Sequence, residues 1–420
     1  MFENFIDILE EELLPALGCT EPIAIALAAA KAREILGEMP ERLEVECSGN
    51  IIKNVKGVTV PTTGNMKGIE TSAILGAVGG DSNRELEVLI AIRPEHIEKT
   101  RELLAQGICE VVLAKGVENL YIKMTAVKGN QSAVVTIADS HTNIIKMEKN
   151  DVVIFEKDSN ESKMQKKQDR SNLSIKNIYE FANTVDIEKI KPLLDRQIKC
   201  NMEIAEEGMK NKYGANVGKT LIKYYGDDIN TRAKAYAAAG SDARMSGCVL
   251  PVVINSGSGN QGMTVSIPVI MYAEHLGASD EQLYRALALS NLLAIHQKTG
   301  IGKLSAYCGA VSAGCGAGAG IAYLHGKPLG VIENTITNSL ANVSGIVCDG
   351  AKPSCAAKIA SSIDAALMGY MMALEGDAFS PGEGLVTQDI ERTIKNIGLM
   401  AKVGMRETDI EILTLMINDK

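Results

Sequence analysis

The spacing of hydrophobic and polar positions changes along this chain and divides it into parts with different periodicity. In residues 1–37 the apolar positions recur with helical periodicity, and Pro15 and Gly18 interrupt the pattern. The pattern restarts at Thr20, a residue type common at N-caps, and runs to Gly37, which suits the end of a helix. We therefore predict two helices, with Thr20 as the N-cap of the second.

Residues 42–157 follow a different pattern, in which short runs alternate apolar and polar positions. Leu43 to Cys47 alternate as a strand does, and several β-rich runs follow. The turn Lys128-Gly129-Asn130 joins two of these runs in the manner of a hairpin. This pattern predicts a small α+β domain with a mainly antiparallel sheet.

From residue 174 to residue 420 the helical periodicity returns, with glycine-rich joints and almost no strand pattern. Residues 158–173 are polar and charged, which is typical of a surface linker. We predict that residues 1–37 and 174–420 form one large helical domain, in which residues 42–157 are an insertion. The predicted fold class is thus α+β: a large all-helical domain with an inserted smaller α+β domain.

Composition and charge narrow the possible functions. The net charge of −9 and the absence of Trp argue against a nucleic-acid partner. The first residues are acidic and amphipathic, which argues against a signal peptide and predicts a cytoplasmic location. Residues 304–324 carry no charge, yet most of them are small, so they predict a buried helix rather than a membrane span.

The nine cysteines are odd in number and scattered, so they do not indicate a disulfide framework. Cys348 and Cys355 flank a turn that contains Asp-Gly and Pro, and Cys355 stands at a predicted helix start, where the helix dipole stabilises a thiolate. The pair could bind a soft metal centre or pack beside a loop. Cys308 and Cys315 share one face of a predicted helix, and either could be a third ligand.

Cys19 directly precedes the second predicted helix, and this position predicts a depressed pKa for its thiol. A thiolate that is not a metal ligand could act as a nucleophile or a base, whereas the alternative is a packing residue at a helix start. The remaining cysteines are interpreted as core or incidental residues: Cys47, Cys109, Cys200 and Cys248.

A glycine-rich loop at residues 252–262 follows an apolar run and precedes a helix predicted to begin at Thr264. The N–H groups of such a loop can hold a carboxylate or a phosphate. The loop lacks the Walker A lysine and the dinucleotide fingerprint, so we favour a carboxylate, with a structural glycine turn as the alternative. The candidate substrate-binding residues are Ser256, Gly257, Asn260, Gln261 and Gly262. The five histidines show no metal-ligand spacing, which argues against a zinc hydrolase.

Four segments together carry a resemblance to a known family: LGCTEP at 17–22, GNQG at 259–262, AYCGAVSAGCGAGAGI at 306–321 and CDGAKPSCAAKI at 348–359. They resemble the iron–sulfur-dependent L-cysteine desulfidases, which are related to the alpha chain of bacterial iron–sulfur L-serine dehydratases. The resemblance spans nearly the whole chain, including the α+β insertion.

The resemblance implies a [4Fe–4S] cluster that is bound by Cys308, Cys348 and Cys355. One iron would have no protein ligand, and the cluster would be labile to oxygen. The resemblance also implies that Cys19 is the catalytic base, that Cys315 is not a ligand, and that the helical domain is the cluster-binding, catalytic part. The implied reaction is the β-elimination of L-cysteine to pyruvate, ammonia and hydrogen sulfide, without pyridoxal phosphate.

Other functions stay open at this point. One alternative is an L-serine dehydratase with the same cluster chemistry; others are a non-catalytic iron–sulfur redox sensor and a membrane carrier. An eliminase needs a base such as Cys19, whereas a sensor does not. We expect a small amino-acid substrate and a homodimer, with no nucleic-acid or membrane partner.

Overall fold

The computed structural model describes residues 3–157, 168–302 and 304–418. These residues form a large body of packed helices and a smaller six-stranded sheet with helices against it. This arrangement confirms the predicted α+β fold class. The predicted linker at residues 158–173 lies for the most part outside the described residues.

The chain begins with two helices joined by a short strand. These elements are α1 (Glu3–Glu12), β1 (Pro15–Leu17) and α2 (Thr20–Leu36). The N-cap of α2 is Cys19 rather than the predicted Thr20, since Cys19 has an extended backbone and Thr20 already belongs to the helix. Gly37 ends α2 in the left-handed conformation, which glycine adopts without strain.

The sheet and the helices beside it follow in the next part of the chain. In order they are β2 (Arg42–Cys47), α3 (Gly49–Val55), α4 (Ile69–Gly79), a 3-10 helix (Ser82–Glu87), α5 (Pro94–Ala105), β3 (Cys109–Leu113), β4 (Tyr121–Lys128), β5 (Gln131–Ala138), β6 (Ile144–Lys149) and β7 (Val152–Glu156). The strand order is β3-β2-β4-β5-β6-β7, and all neighbours are antiparallel except β2 and β3. Lys128 pairs with Gln131, so the predicted hairpin is present.

Helix α2 packs against α4 and against strands β4 and β5. Nearly all of its side chains are buried, which suits a helix that is covered on several sides. The sheet meets the helices with alternate residues of its central strands, namely Leu43, Val45, Cys47, Ile122, Met124, Ala126, Ala133, Val135 and Ile137. Residues 1–37 are predicted to belong to the helical domain; the main contacts of α2 in the described residues are with the sheet and α4.

The helical body follows in the remaining part of the chain. Its elements are α6 (Ile175–Thr184), α7 (Ile187–Lys210), α8 (Val217–Tyr225), α9 (Ile229–Met245), β8 (Pro251–Val253), α10 (Gly259–Leu276), α11 (Asp280–Ile301), α12 (Gly309–Leu324), α13 (Leu329–Val343), α14 (Cys355–Leu374), α15 (Ile390–Leu399), a π-helical turn (Met400–Gly404) and α16 (Arg406–Asn418). Helix α1 contacts α7 and α11, and β8 pairs antiparallel with β1. The pairing of β1 with β8 fixes the entry to α2 against the entry to α10.

Helix α12 lies at the centre of this body, as its uncharged, small-residue sequence predicted. A Cβ atom on Gly316 would approach the carbonyl oxygen of Ser290 in α11 to 2.6 Å, and one on Gly314 would approach that of Ser362 in α14 to 2.8 Å. The glycines therefore let three helix backbones come together. None of the helices in the described ranges combines the length and apolar character needed to cross a bilayer.

Candidate active site

Cys308 and Cys348 are brought together by a short stretch of strand-like pairing. Tyr307 and Val347 form an isolated antiparallel bridge. The Cys308 N–H donates to the Ile346 carbonyl at 3.0 Å, and the Cys348 N–H donates to the Ala306 carbonyl at 2.6 Å. The entries to α12 and α14 are thereby held side by side, although they are far apart in sequence.

The turn between Cys348 and Cys355 packs closely on α3. Gly350 has a φ of 97°, and a Cβ atom there would lie 2.3 Å from the Lys53 carbonyl oxygen, so only glycine fits. Cys355 is the first residue of α14, and its N–H donates to the Lys352 carbonyl at 2.9 Å. The turn therefore delivers the second and third thiols to the same place.

A cavity of about 90 Å³ lies where several helices begin or end. Its wall contains four cysteines, Cys19, Cys308, Cys348 and Cys355. Cys315 is buried inside α12 and does not line the cavity, so of the two candidates for a third ligand only Cys308 is in place. The four cysteines interpreted as core or incidental residues also lie away from the cavity, and all nine cysteines are free of disulfides.

The three cysteines Cys308, Cys348 and Cys355, called here the three-cysteine wall, need positive charge if they are to be thiolates together. Burial raises the pKa of the Cys308 thiol to about 12, and the charge of Cys348 adds to the shift. Burial also raises the pKa of Cys355, and Cys348 again contributes. Without a compensating cation, Cys308 and Cys355 therefore keep their protons.

Two lysines supply part of that positive charge. Burial lowers the pKa of Lys298 to about 8, although Cys348 and Cys308 act in the opposite direction. Burial alone would lower the pKa of Lys358, but the hydrogen bond with Asp349 raises it, with a further contribution from the cysteines. The Lys358 ammonium also donates to the Val347 carbonyl at 2.8 Å, which anchors it beside the wall.

The donor set of the three-cysteine wall fits an iron–sulfur cluster, because such clusters are held by cysteine thiolates. Within the part of the chain that the structure describes, no group of three or more His, Cys, Asp or Glu side chains could hold a single ion. Three thiols around one cavity can instead bind different irons of one cluster. The irons would also bring positive charge to these partly buried thiolates.

Cys19 occupies a different part of the same cavity, at the N-cap of α2. Its side chain is 2% exposed, and its Sγ donates to Glu21 Oε2 at 3.0 Å. Burial raises the pKa of Cys19 well above its usual value, and the Glu21 charge adds to this effect, while Arg244 opposes it. The prediction of a depressed pKa was therefore wrong, because burial and a neighbouring carboxylate outweigh the helix dipole.

Glu21 is a buried carboxylate with several donors around it. Glu21 Oε2 also accepts from Thr20 Oγ1 at 3.1 Å, and Oε1 accepts from Asn54 Nδ2 at 2.9 Å. His141, from the loop between β5 and β6, places Nε2 at 3.9 Å from Oε1. Burial alone would raise the pKa of Glu21, but His141 and the Cys19 hydrogen bond lower it to about 2, so the carboxylate is ionised.

The glycine-rich loop contributes two of its five predicted substrate-binding residues to the cavity wall, Asn260 and Gln261. The other three lie outside the wall. Ser256 donates to Asn255 Oδ1 at 2.9 Å, and the Gly257 carbonyl accepts from Thr20 Oγ1 at 3.0 Å. Gly262 allows a close helix approach, since a Cβ atom there would lie 2.0 Å from the Val253 carbonyl oxygen.

Arg244 and Lys298 also line the cavity, and sequence reasoning did not identify them. Arg244, near the end of α9, donates from Nε to the Gly18 carbonyl at 2.9 Å and from Nη1 to Asn260 Oδ1 at 3.1 Å. Nη2 is buried without a hydrogen-bond partner in the described residues. The only sequence signal was a basic residue late in a helix that is rich in alanine.

Comparisons with known proteins identify a family and several relatives of this chain. A family model described as serine dehydratase alpha chain matches residues 83–414 of the chain. The chain is also similar to UPF0597 proteins of Lachnoclostridium phytofermentans (56% identical, covering 100% of both chains), Desulfitobacterium hafniense (52% identical, 99% of this chain and 97% of the relative) and Finegoldia magna (51% identical, 99% of each). The matched family range includes the three-cysteine wall and Arg244, whereas Cys19 and Glu21 precede it.

Proposed function

Since the chain belongs to the serine dehydratase alpha-chain family, a family of iron–sulfur lyases, we propose that it catalyses the β-elimination of L-cysteine to pyruvate, ammonia and hydrogen sulfide. The observation that carries this proposal is the position of Cys19 in the same cavity as the three-cysteine wall. A thiol beside, but not part of, a set of three ligands is what an eliminase needs as a base, because the reaction removes a proton from Cα.

Cys308, Cys348 and Cys355 are the residues that would hold a [4Fe–4S] cluster, which leaves one iron without a protein ligand. When bound, such a cluster supplies a Lewis acid for the sulfur that leaves Cβ, so pyridoxal phosphate is not needed. Lys298 and Lys358 stabilise the thiolate form of the wall through their charge. The small cavity limits the water that can enter beside them.

Cys19 is the group that we assign to the Cα proton. At rest it is a thiol that donates to Glu21, so its proton has to pass along this hydrogen bond to the Glu21 carboxylate before Cys19 can act. The thiolate then takes the Cα proton, the electrons of the C–H bond form the Cα–Cβ double bond, and the Cβ–S bond breaks with its electron pair on the sulfur. The hydrosulfide takes up the proton held by Glu21 and leaves as hydrogen sulfide. The 2-aminoacrylate that leaves the site tautomerises and hydrolyses in water to pyruvate and ammonia.

The substrate carboxylate is assigned to Arg244, with Asn260 and Gln261 beside it. The guanidinium is fixed on two sides by Gly18 and Asn260, and its Nη2 remains for a ligand. An Arg–carboxylate contact is charge-assisted and directional, so it can orient Cα toward a base. The sequence predicts that N–H groups of the glycine-rich loop bind the carboxylate, whereas this assignment gives that role to the side chains of Arg244, Asn260 and Gln261.

L-serine dehydration is the second candidate activity, and the name of the matched family favours it. The same residues would remove the Cα proton, and hydroxide would leave in place of sulfide. Iron has a greater affinity for a soft sulfur leaving group, which supports cysteine. A redox sensor would not need the buried Cys19–Glu21 hydrogen bond, because this contact serves proton transfer and not the detection of the cluster's redox state.

The test is an anaerobic assay of turnover. The protein is loaded with iron and sulfide, freed of excess sulfide, and supplied with L-cysteine or L-serine, and pyruvate and sulfide are measured. Pyruvate and sulfide in equal amounts from L-cysteine, lost on exposure to air, are the expected result. Pyruvate from L-serine alone would establish the dehydratase, and no turnover with a full cluster would overturn both in favour of the sensor.

A further inference from the structure

We infer that Glu21 and Arg244 form a clamp for the zwitterion of an α-amino acid, in which Glu21 binds the ammonium group and Arg244 binds the carboxylate on either side of Cys19. This inference rests on the proposed function for placing the substrate at Cys19. It goes beyond that function because it assigns the recognition of the amino group and predicts which ligands the site rejects.

Arg244 provides the cationic half of the clamp. Its side chain is 2% exposed, it lines the cavity, and its Nη2 lacks a hydrogen-bond partner among the described residues. A buried, unpaired guanidinium nitrogen is unfavourable unless a ligand completes it. Because Nε holds the carbonyl of Gly18, the residue before Cys19, the guanidinium is fixed next to the base.

Glu21 provides the anionic half. An ionised carboxylate has about four acceptor positions. Glu21 Oε2 uses two of them for Cys19 and Thr20, and Oε1 uses one for Asn54. His141 Nε2 lies 3.9 Å from Oε1, which is within ion-pair range but beyond a hydrogen bond, so among the described residues Oε1 accepts a hydrogen bond only from Asn54.

The order of charges around Cys19 matches an amino acid. The Cα of an amino acid carries the proton to be removed, an ammonium group and a carboxylate. Cys19 Sγ lies 3.0 Å from the Glu21 carboxylate, and Arg244 is close enough to lower the pKa of the thiol. Cys19 thus has the Glu21 carboxylate and the Arg244 guanidinium beside it, and these charges are complementary to the ammonium and carboxylate groups on the Cα of the substrate.

Lys298 also lines the cavity, but it is not the cation that pairs with the Glu21 carboxylate. Its electrostatic contacts are with Cys348 and Cys308, so its charge acts on the three-cysteine wall. Asn54 and His141 instead hold the Glu21 side, and both come from the sheet-containing part of the chain. The clamp therefore joins one group from the start of α2 to one from the end of α9.

The test measures binding without turnover. L-Alanine has both charged groups but no leaving group, propionate lacks the ammonium, and ethylamine lacks the carboxylate. Isothermal titration of the anaerobic, cluster-loaded protein should show L-alanine binding at least about tenfold more tightly than either fragment, because a hydrogen bond to a charged group has that effect on affinity. Equal affinity for L-alanine and propionate, or no binding of L-alanine, would overturn the clamp without use of any variant.

Two variants separate the halves of the clamp. Glu21→Gln keeps an acceptor for Asn54 and should weaken L-alanine about tenfold to a hundredfold while propionate binding stays the same or improves. Arg244→Met should weaken both ligands, and Glu207→Gln, which changes a carboxylate of α7 that does not line the cavity, is the matched control that should change neither. If Glu21→Gln binds L-alanine as the parent does, Glu21 is not the ammonium site, whatever the turnover assay shows. If no amino acid is turned over but these binding differences are found, the clamp stands and the proposed reaction fails.

Discussion

The cavity contains two kinds of thiol environment, and their difference shows how a cysteine acquires its role. The three-cysteine wall stands next to Lys298 and Lys358, whereas Cys19 donates to the ionised Glu21. Cys19 is buried and the three-cysteine wall is partly buried, and both environments lie at helix starts, since Cys308 and Cys19 are the N-caps of α12 and α2. The helix start is therefore common to ligand and base, and the charge of the nearest side chain distinguishes them.

The charges suit opposite tasks. Lysines beside the wall favour thiolates, which is the form that binds iron. Glu21 keeps the proton on Cys19, so this thiol does not compete for iron and remains available for chemistry. Three changes test this division of roles.

The largest effect is expected from removal of a ligand thiol. Cys308→Ala, Cys348→Ala and Cys355→Ala should each lower the iron content, because a site that depends on three thiolates has no substitute in the wall. We expect a loss of affinity for iron of more than about a hundredfold, because loss of a ligand has a larger effect than loss of a residue that hydrogen-bonds to a ligand. Iron analysis and the visible absorption of the anaerobically loaded protein measure it.

Cys315→Ala is the matched control for the ligand variants. Cys315 is buried but lies outside the cavity, with its Sγ 3.9 Å from the Ile336 carbonyl oxygen. The Cys315→Ala variant should therefore retain its iron. Full iron in any one of the three ligand variants would remove that residue from the wall's function.

A smaller and more selective effect is expected from Cys19→Ser. This change should leave iron content unaltered and reduce kcat about 10²–10⁴-fold, because it removes a base that acts on Cα while the ligands remain. Pyruvate formation and iron content are measured on the same sample. If iron falls with activity, Cys19 belongs with the ligands and the contrast between the two environments disappears.

The smallest effect concerns the protonation of Cys19 in Glu21→Gln. Because the negative charge of Glu21 raises the pKa of Cys19, its removal should lower that pKa, and alkylation of Cys19 should begin at a lower pH than in the parent. Mass spectrometry of the Cys19 peptide after brief iodoacetamide treatment across a pH series gives this profile. An unchanged or raised midpoint would mean that burial alone controls the thiol, and Glu207→Gln serves as the neutral control.

Much of the fold was predictable because the spacing of apolar residues within a short segment indicates whether that segment forms a helix or a strand. The strand alternation of Leu43 to Cys47, the Lys128–Gln131 hairpin and the small-residue helix α12 are all present. Helix α10 begins at Gly259 rather than at the predicted Thr264, because close packing of Gly262 on Val253 compensates for the low helix propensity of glycine. The homodimer and the cytoplasmic location stay predictions.

The site was predictable where reactive residues, here cysteines, stand in short motifs that predict a turn or a helix start. The motifs around Cys308, Cys348, Cys355 and Cys19 marked four residues that the fold does bring into one cavity. Arg244 could not be identified, because a single basic residue in a helix has no local signature of its tertiary contacts. The direction of the Cys19 pKa shift was wrong for the same reason, since Glu21 and burial act through the folded structure.

The pairing of β1 with β8 has a consequence for the synthesis of this protein. Pro15 to Leu17 find their partners only at residues 251–253, so the first strand of the chain stays unpaired until more than half of the chain has left the ribosome. Arg244 and Asn260, which complete the surroundings of Cys19, arrive at the same stage. A nascent chain thus leaves Cys19 without these partners for a long period, and we expect chaperones and reducing conditions to matter most during that interval.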